Sequence, residues 1–278
     1  MLEYRAKNYV EGKVIVITGA YAGFGEATAR KAAAMGGKVV LAARRAEKLE
    51  KIVEEIRAAG GDAVACPTDV QIQEQCQNMV KFAINTYGHI DVLVNDAGTM
   101  PQAFFSEANW VMPDWERCID TAIKGALYCT CAVYDHMMKN GRGHIVNVSS
   151  ILGNLAVNGN GIYNVSKVGA RYLAESLRAE CRGRIKTTVV RPTSVSTTEL
   201  GLTTVNANAA MAGMYGKLFQ AFSKNESVYP EIKNRDSIQY GEPTADDLAD
   251  NIIYAINQPW GVDISDITVR ASNESMYV

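Results

Sequence analysis

Tyr163 and Lys167 stand four positions apart, so on a helix their side chains stack on one face. A free tyrosine titrates near pH 10 and is a poor base in neutral water. An ammonium close to the ring stabilises the phenolate and brings the group toward the working pH. Ser150, thirteen residues before Tyr163, supplies a hydroxyl able to hold a reacting oxygen. Taken alone, such a Tyr and Lys would equally describe the wet face of an amphipathic helix. A second constellation lies near the start, in Thr18-Gly19-Ala20-Tyr21-Ala22-Gly23-Phe24-Gly25. Its glycines allow a sharp turn and let a pyrophosphate approach helix N-terminal amides, where the dipole favours negative charge. A tight turn driven by packing is the plainer alternative. Eighteen residues past Gly25 comes Ala43, followed by Arg44 and Arg45. Where a carboxylate would receive a ribose hydroxyl, the chain has two guanidiniums able to grip a 2′-phosphate. Arg45 equally suits a solvated charge at a helix start.

These groups need a scaffold, and short β-branched runs alternating with helical stretches supply one. Strands are expected at Val14 to Thr18, Lys38 to Ala42, Ala63 to Cys66, Asp91 to Val94, His144 to Val148, Lys186 to Val190 and Ile264 to Val269. Helices are expected at Gly25 to Met35, Ala46 to Ala59, Gln71 to Tyr87, Pro113 to Lys139, Gly161 to Cys181 and Ala245 to Ile256. Apolar strands separated by helices of this length mean βαβ units and a parallel sheet covered on both faces. The expected fold is therefore α/β, a three-layer doubly wound Rossmann sheet of about seven strands. No repeat, Pro-rich linker or charge block divides the 278 residues, which read as one domain. The exception to the pattern is 200–241, a long insertion of the kind that forms a lid. There Met211, Met214, Tyr215, Leu218, Phe219 and Phe222 recur at roughly helical spacing.

Composition narrows the partners. Lys and Arg number 28 against 30 Asp and Glu, without the basic excess of a nucleic-acid binder. The longest uncharged run, Ile145 to Ser166, is rich in Asn, Ser and Gly and cannot span a bilayer. Six cysteines without zinc-type spacing read as free, mostly buried thiols of a reducing compartment, the cytoplasm. His89, His136 and His144 are scattered, and none is assigned to catalysis or to a metal.

The glycine spacing Gly-x-x-x-Gly-x-Gly resembles that of the short-chain dehydrogenase/reductase (SDR) family, and further motifs recur along residues 12–270. Asn95-Asp96-Ala97-Gly98 stands where that family has Asn-Asn-Ala-Gly. Ser150, Tyr163 and Lys167 match its Ser…Tyr-x-x-x-Lys signature, and Pro192-Thr193-Ser194-Val195-Ser196-Thr197 is similar to its Pro-Gly-x-Val-x-Thr segment. The resemblance implies Ser150, Tyr163 and Lys167 as catalytic residues, with Tyr163 and Lys167 also meeting the cofactor. It implies a dinucleotide held by Gly19, Tyr21, Gly23, Phe24, Gly25, Asn95, Ala97, Gly98, Pro192, Val195 and Thr197. Asp69 and Val70 match an adenine-contacting pair, though Asp69 also suits a helix cap for Gln71 onward. Arg44 and Arg45 point to NADP(H), although a basic residue common in NADP-using relatives before the middle glycine is here Ala22. The C-terminal run from Gln258 to Arg270 looks most like 3-hydroxy-acid and aldehyde reductases. The family also implies a homo-oligomer, dimer or tetramer.

Three departures stand out. Where relatives carry an Asn seven residues after a Trp, this chain has Trp115 and Ala122. The resemblance implies that this Asn helps hold a water joining the lysine to solvent, so Thr121 becomes the candidate relay group here. Asp96 replaces Asn, and Thr193 replaces Gly and would narrow the pocket. Phe104, Phe105 and Trp110 are expected to rim the site. The function expected is hydride transfer between NADP(H) and a carbonyl or secondary alcohol of a medium-sized, partly apolar small molecule. The alternatives are a cofactor-binding sensor or pseudo-enzyme, made thinkable by Ala122, and a redox-neutral epimerase or dehydratase.

Overall fold

In the computed structural model, residues 7–195, 198–212, 233–241 and 243–273 are described. Its framework is a sheet of seven parallel strands: β1 (Val14–Thr18), β2 (Lys38–Ala43), β3 (Asp62–Pro67), β4 (Val92–Asn95), β5 (Gly143–Val148), β6 (Ile185–Pro192) and β7 (Asp266–Val269). Their order is β3-β2-β1-β4-β5-β6-β7. The chain moves outward from β1 to β3, then returns to place β4 on the other side of β1. That reversal opens a crevice at the carboxyl ends of β1 and β4, where ligands of open α/β sheets bind.

The strands are apolar on both faces because both faces are covered. Ile15, Ile17, Val39, Leu41, Val92 and Val94 belong to one core, which α1 (Gly23–Ala34), α2 (Ala46–Ala58) and α8 (Ala245–Ile256) enclose through Ala29, Leu49, Ile52 and Ile252. Val16, Val40, Leu93 and Ile145, pointing the opposite way, join Met79, Val80, Cys129, Val133 and Leu177. Those last residues come from α3 (Gln73–Tyr87), α5 (Gly125–Asn140) and α6 (Gly161–Glu180). Five of the six cysteines are buried as free thiols, and Cys131 is exposed. Among the described residues no helix is long and apolar enough to cross a membrane.

The helix expected from Pro113 starts earlier and is not uniform. It begins as α4 (Ala108–Ile119), with Pro113 inside it, widens into a π turn at Asp120–Lys124 and continues as α5. Gly125 follows that turn because a Cβ there would stand 2.7 Å from Val70 Cγ2. Past β6, a 3₁₀ turn at Glu199–Thr203 leads to the short α7 (Ala207–Ala210). Met214, Tyr215, Leu218, Phe219 and Phe222 lie outside the described residues.

Candidate active site

A cavity of about 210 Å³ occupies the crevice, running from Arg44 and Arg45 at one end to Ser150, Tyr163 and Lys167 at the other. The turn after β1 forms its near wall. Gly19 has φ +71°, and a Cβ on it would lie 3.0 Å from the Ala97 nitrogen. A Cβ on Gly25 would meet Gly19 O at 2.8 Å and Ala20 Cα at 2.9 Å. Gly25 thus lets α1 start against the turn, and it lies behind the wall that Gly19, Tyr21, Gly23 and Phe24 line. Thr18, absent from the sequence-based candidates, fastens this wall to the next. Its Oγ1 donates to Val94 O and accepts from the amides of Asp96 (3.1 Å) and Ala97 (3.3 Å). Side-chain-free backbone beside a helix N-terminus is a cradle suited to a pyrophosphate, so the residues fit a dinucleotide.

The far end is built by β5 and α6. Ser150 caps the turn after β5, its Oγ accepting from Leu152 N at 3.2 Å. Asn164 Nδ2 donates to the carbonyls of Leu152 and Leu155, both at 2.6 Å, and Ser149 Oγ donates to Lys167 O at 2.7 Å. These bonds hold the loop carrying Ser150 against the helix carrying Tyr163 and Lys167. The Lys167 ammonium donates to Val148 O at 2.9 Å and stands 5.5 Å from the Tyr163 ring centre. Burial lowers the Lys167 pKa, while the charges of Asp96 and Cys118 oppose that shift.

Asn95, expected among the cofactor contacts, lies beneath this wall at 8% exposure. Its Nδ2 donates to Asn147 Oδ1 at 2.9 Å, and Asn147 Nδ2 donates to Ala170 O at 3.0 Å. The reason is register: Asn95 pairs Asn147 across β4 and β5, so the Asn95 amide is engaged by Asn147 inside the sheet. Below them a second cavity, about 10 Å³, is lined by Asn95, Asn147, Ala122, Thr121 and Lys167. That is about the volume that admits one water. Ala122 sits buried within the π turn, and Thr121 lines both cavities.

At the other end Arg44 and Arg45 differ. Arg45 is paired with Glu199 at 3.0 Å, and Lys48 meets the same carboxylate at 2.6 Å. Arg45 and Lys48 also lie over the Tyr21 ring, at 4.7 and 5.3 Å. Arg44 has no ion pair among the described residues and lines the cavity. Asp69 and Val70 line it as well, the Asp69 carboxylate accepting from Gln71 N at 3.0 Å. Ala97, Gly98, Pro192 and Val195 complete the lining, and Thr197 lies outside the described residues. The expected aromatic rim is elsewhere. Phe105 is 71% exposed and packs edge-on against Trp115, and Trp110 is 51% exposed. The lining uses Met100, Leu152, Leu200 and Thr203 instead. Lys48 and Glu199 escaped sequence reading because nothing local marks two charges 151 residues apart as partners.

A parallel doubly wound sheet whose switch-point cleft gathers a glycine turn, a Ser, a Tyr and a Lys defines a Rossmann-type nucleotide-binding oxidoreductase fold. The chain matches the short chain dehydrogenase family over residues 13–208 and belongs to it. An uncharacterized oxidoreductase of Listeria innocua is 37% identical over 268 residues, covering 95% of this chain and 98% of its own length. Glycine betaine reductase of Emericella nidulans is 34% identical over 96% of this chain, which corresponds to 19% of that protein. Among solved structures, serine dehydrogenase in its closed form with NADP+ has a TM-score of 0.78 at 26% identity, covering 95% of this chain and 96% of that one. An SDR from Burkholderia phymatum in complex with NAD has a TM-score of 0.74 at 27% identity, covering 94% and 90%.

Proposed function

We propose that the protein is an NADP(H)-dependent reductase or dehydrogenase acting on the carbonyl or secondary alcohol of a medium-sized, partly apolar small molecule. The observation that carries this reading is one cavity reaching from Arg44, which makes no ion pair among the described residues, to Ser150, Tyr163 and Lys167. When bound, the dinucleotide supplies or accepts the hydride. The chain's own residues manage the oxygen and its proton. Ser150 Oγ donates to the substrate oxygen, while the Tyr163 hydroxyl gives it a proton during reduction and recovers one during oxidation. Lys167 keeps its positive charge beside the ring and stabilises the phenolate left after proton transfer. Arg44 receives the 2′-phosphate, a contact that suits a planar fork of donors. Gly19, Gly23 and Phe24 offer backbone to the pyrophosphate, with Ala97, Gly98, Pro192 and Val195 shaping the remainder. Met100, Leu152 and Leu200 give the substrate end its apolar character, and the turn Glu199–Thr203 roofs it.

We read the chain as one cytoplasmic domain that self-associates, supported by exposed Leu127 on α5 and Val165, Val168 and Tyr172 on α6. The test is loss of NADPH absorbance across a panel of aldehydes and ketones, run beside Tyr163→Phe. Wild-type turnover is expected with at least one carbonyl, and the variant should lose about 10²- to 10⁴-fold in kcat while binding NADPH normally. Tight NADPH binding without turnover of any substrate would favour a sensor, and an active Tyr163→Phe would displace Tyr163 as the acid.

A further inference from the structure

Asp96 is a carboxylate in a place where an anionic ligand is expected. It follows β4, lines the main cavity, and its Oδ2 lies 3.0 Å from where a Cβ of Gly25 would stand. Its carboxylate accepts a hydrogen bond from the Gly25 amide in the first turn of α1, and its own amide is held by Thr18 Oγ1 at 3.1 Å. The side chain therefore shares the α1 N-terminus with the cradle formed by Gly19, Gly23 and Phe24. The charged group acting on it is Lys167, reaching across from α6, and Asp96 in turn holds up the proton affinity of Lys167. β1 contributes only the neutral Thr18.

We propose that Asp96 makes dinucleotide binding proton-linked: its carboxylate takes up one proton from solvent as a pyrophosphate enters the α1 N-terminus. This rests on the nicotinamide-dinucleotide reading of the cleft given above. The physical reason is like charge in a confined site. A carboxylate and a pyrophosphate beside the same helix end repel one another in the partly buried cleft, and protonation of Asp96 removes that repulsion. Burial already raises Asp96 to about 7, against the opposing effects of Lys167 and the Gly25 amide, so the proton costs little near neutrality. An asparagine could not do this, because it carries no titratable charge.

The linkage has a definite sign. A group whose affinity for protons is higher in the complex than in the free protein drives proton uptake on binding, and affinity then falls as pH rises. Kd for NADPH should rise by up to about tenfold per pH unit above pH 7. The experiment is titration calorimetry with NADPH at pH 7.5 in two buffers of different ionisation heat, on wild type and Asp96→Asn. The 2′-phosphate's own titration is common to both proteins and cancels in their difference. Wild type should take up roughly half to one proton more than the variant, and the pH slope of Kd should flatten in Asp96→Asn. Equal proton uptake in two folded proteins that both bind NADPH overturns the proposal and leaves the cofactor reading intact. No dinucleotide binding by wild type would instead refute that underlying reading. If Asp96→Asn does not fold, the wild-type proton count measured from pH 6 to 9 decides alone: uptake peaking above pH 7 supports the linkage, and a flat profile overturns it.

Discussion

The floor and the roof of the cleft are held by different kinds of contact. The floor is backbone and buried polar side chains: Gly19 pressed against Ala97, Thr18 bridging two turns, and the Asn95–Asn147 pair inside the sheet. The described roof, Thr198 to Thr203, has two unlike edges. Its far edge is anchored where Met100 N donates to Thr203 Oγ1 at 2.7 Å. Its near edge is latched by Glu199 to Arg45 and Lys48, all of them at least one-third exposed. Buried hydrogen bonds are costly to break because the partners are stranded away from water. Exposed ion pairs are worth little and yield to salt. Preorganisation thus resides in the floor, and opening is expected at the Glu199 edge.

The sharpest way to break this contrast is to strike the floor. Gly25→Val places side-chain carbons where Gly19 O and Ala20 Cα already stand. It should cost about 1–3 kcal/mol of stability, or roughly 2–4 °C of Tm per kcal/mol, and abolish NADPH binding. Thermal unfolding and calorimetry check both, and an unaltered protein would show that the floor is not rigid. Arg44→Asp, on the rim, should leave the stability within about 0.5 kcal/mol of wild type. It should shift the NADPH/NADH preference roughly 10- to 100-fold toward NADH, the scale of one charged hydrogen bond. An unchanged ratio of kcat/KM values would move the phosphate contact elsewhere. Glu199→Gln should have the smallest effect, under about 1 kcal/mol of stability, with a faster NADPH off-rate in stopped flow. The same off-rate in wild type should increase with salt. Lys48 and Arg45 hold the Glu199 carboxyl below its usual range, so the latch should persist into mild acid and loosen as pH falls below that of an ordinary Glu. A Glu199→Gln variant as damaged as Gly25→Val would erase the distinction between roof and floor.

Much of the scaffold was legible along the chain because its signals are local. Continuous β-branched apolar runs, helical spacing and a glycine turn each depend on neighbours within a few residues. The exceptions were equally physical. Helix α4 began at Ala108 rather than Pro113, and it carries that proline in its interior at the loss of one backbone hydrogen bond, so the proline did not mark the first residue. The π turn at Asp120–Lys124 has no sequence period to announce it. Phe105 and Trp110 read as a pocket rim because aromatic residues near a site suggest one, yet Phe105 turns to Trp115 outside the cavity. Asn95 belonged to a cofactor motif, and only strand register showed its amide engaged by Asn147.

The amino-acid sequence by itself determined the strand and helix order, the glycines where backbone must pass close, the Tyr163–Lys167 spacing and the pair of arginines after β2. Those are short-range properties, set by backbone sterics and side-chain period. The tertiary structure decided which arginine has no ion pair among the described residues, that Glu199 latches Lys48 and Arg45, and that Asp96 faces Lys167 at the start of α1. Each depends on groups brought together by the crossovers of a doubly wound sheet, and partners 70 to 150 residues apart leave no mark in local sequence.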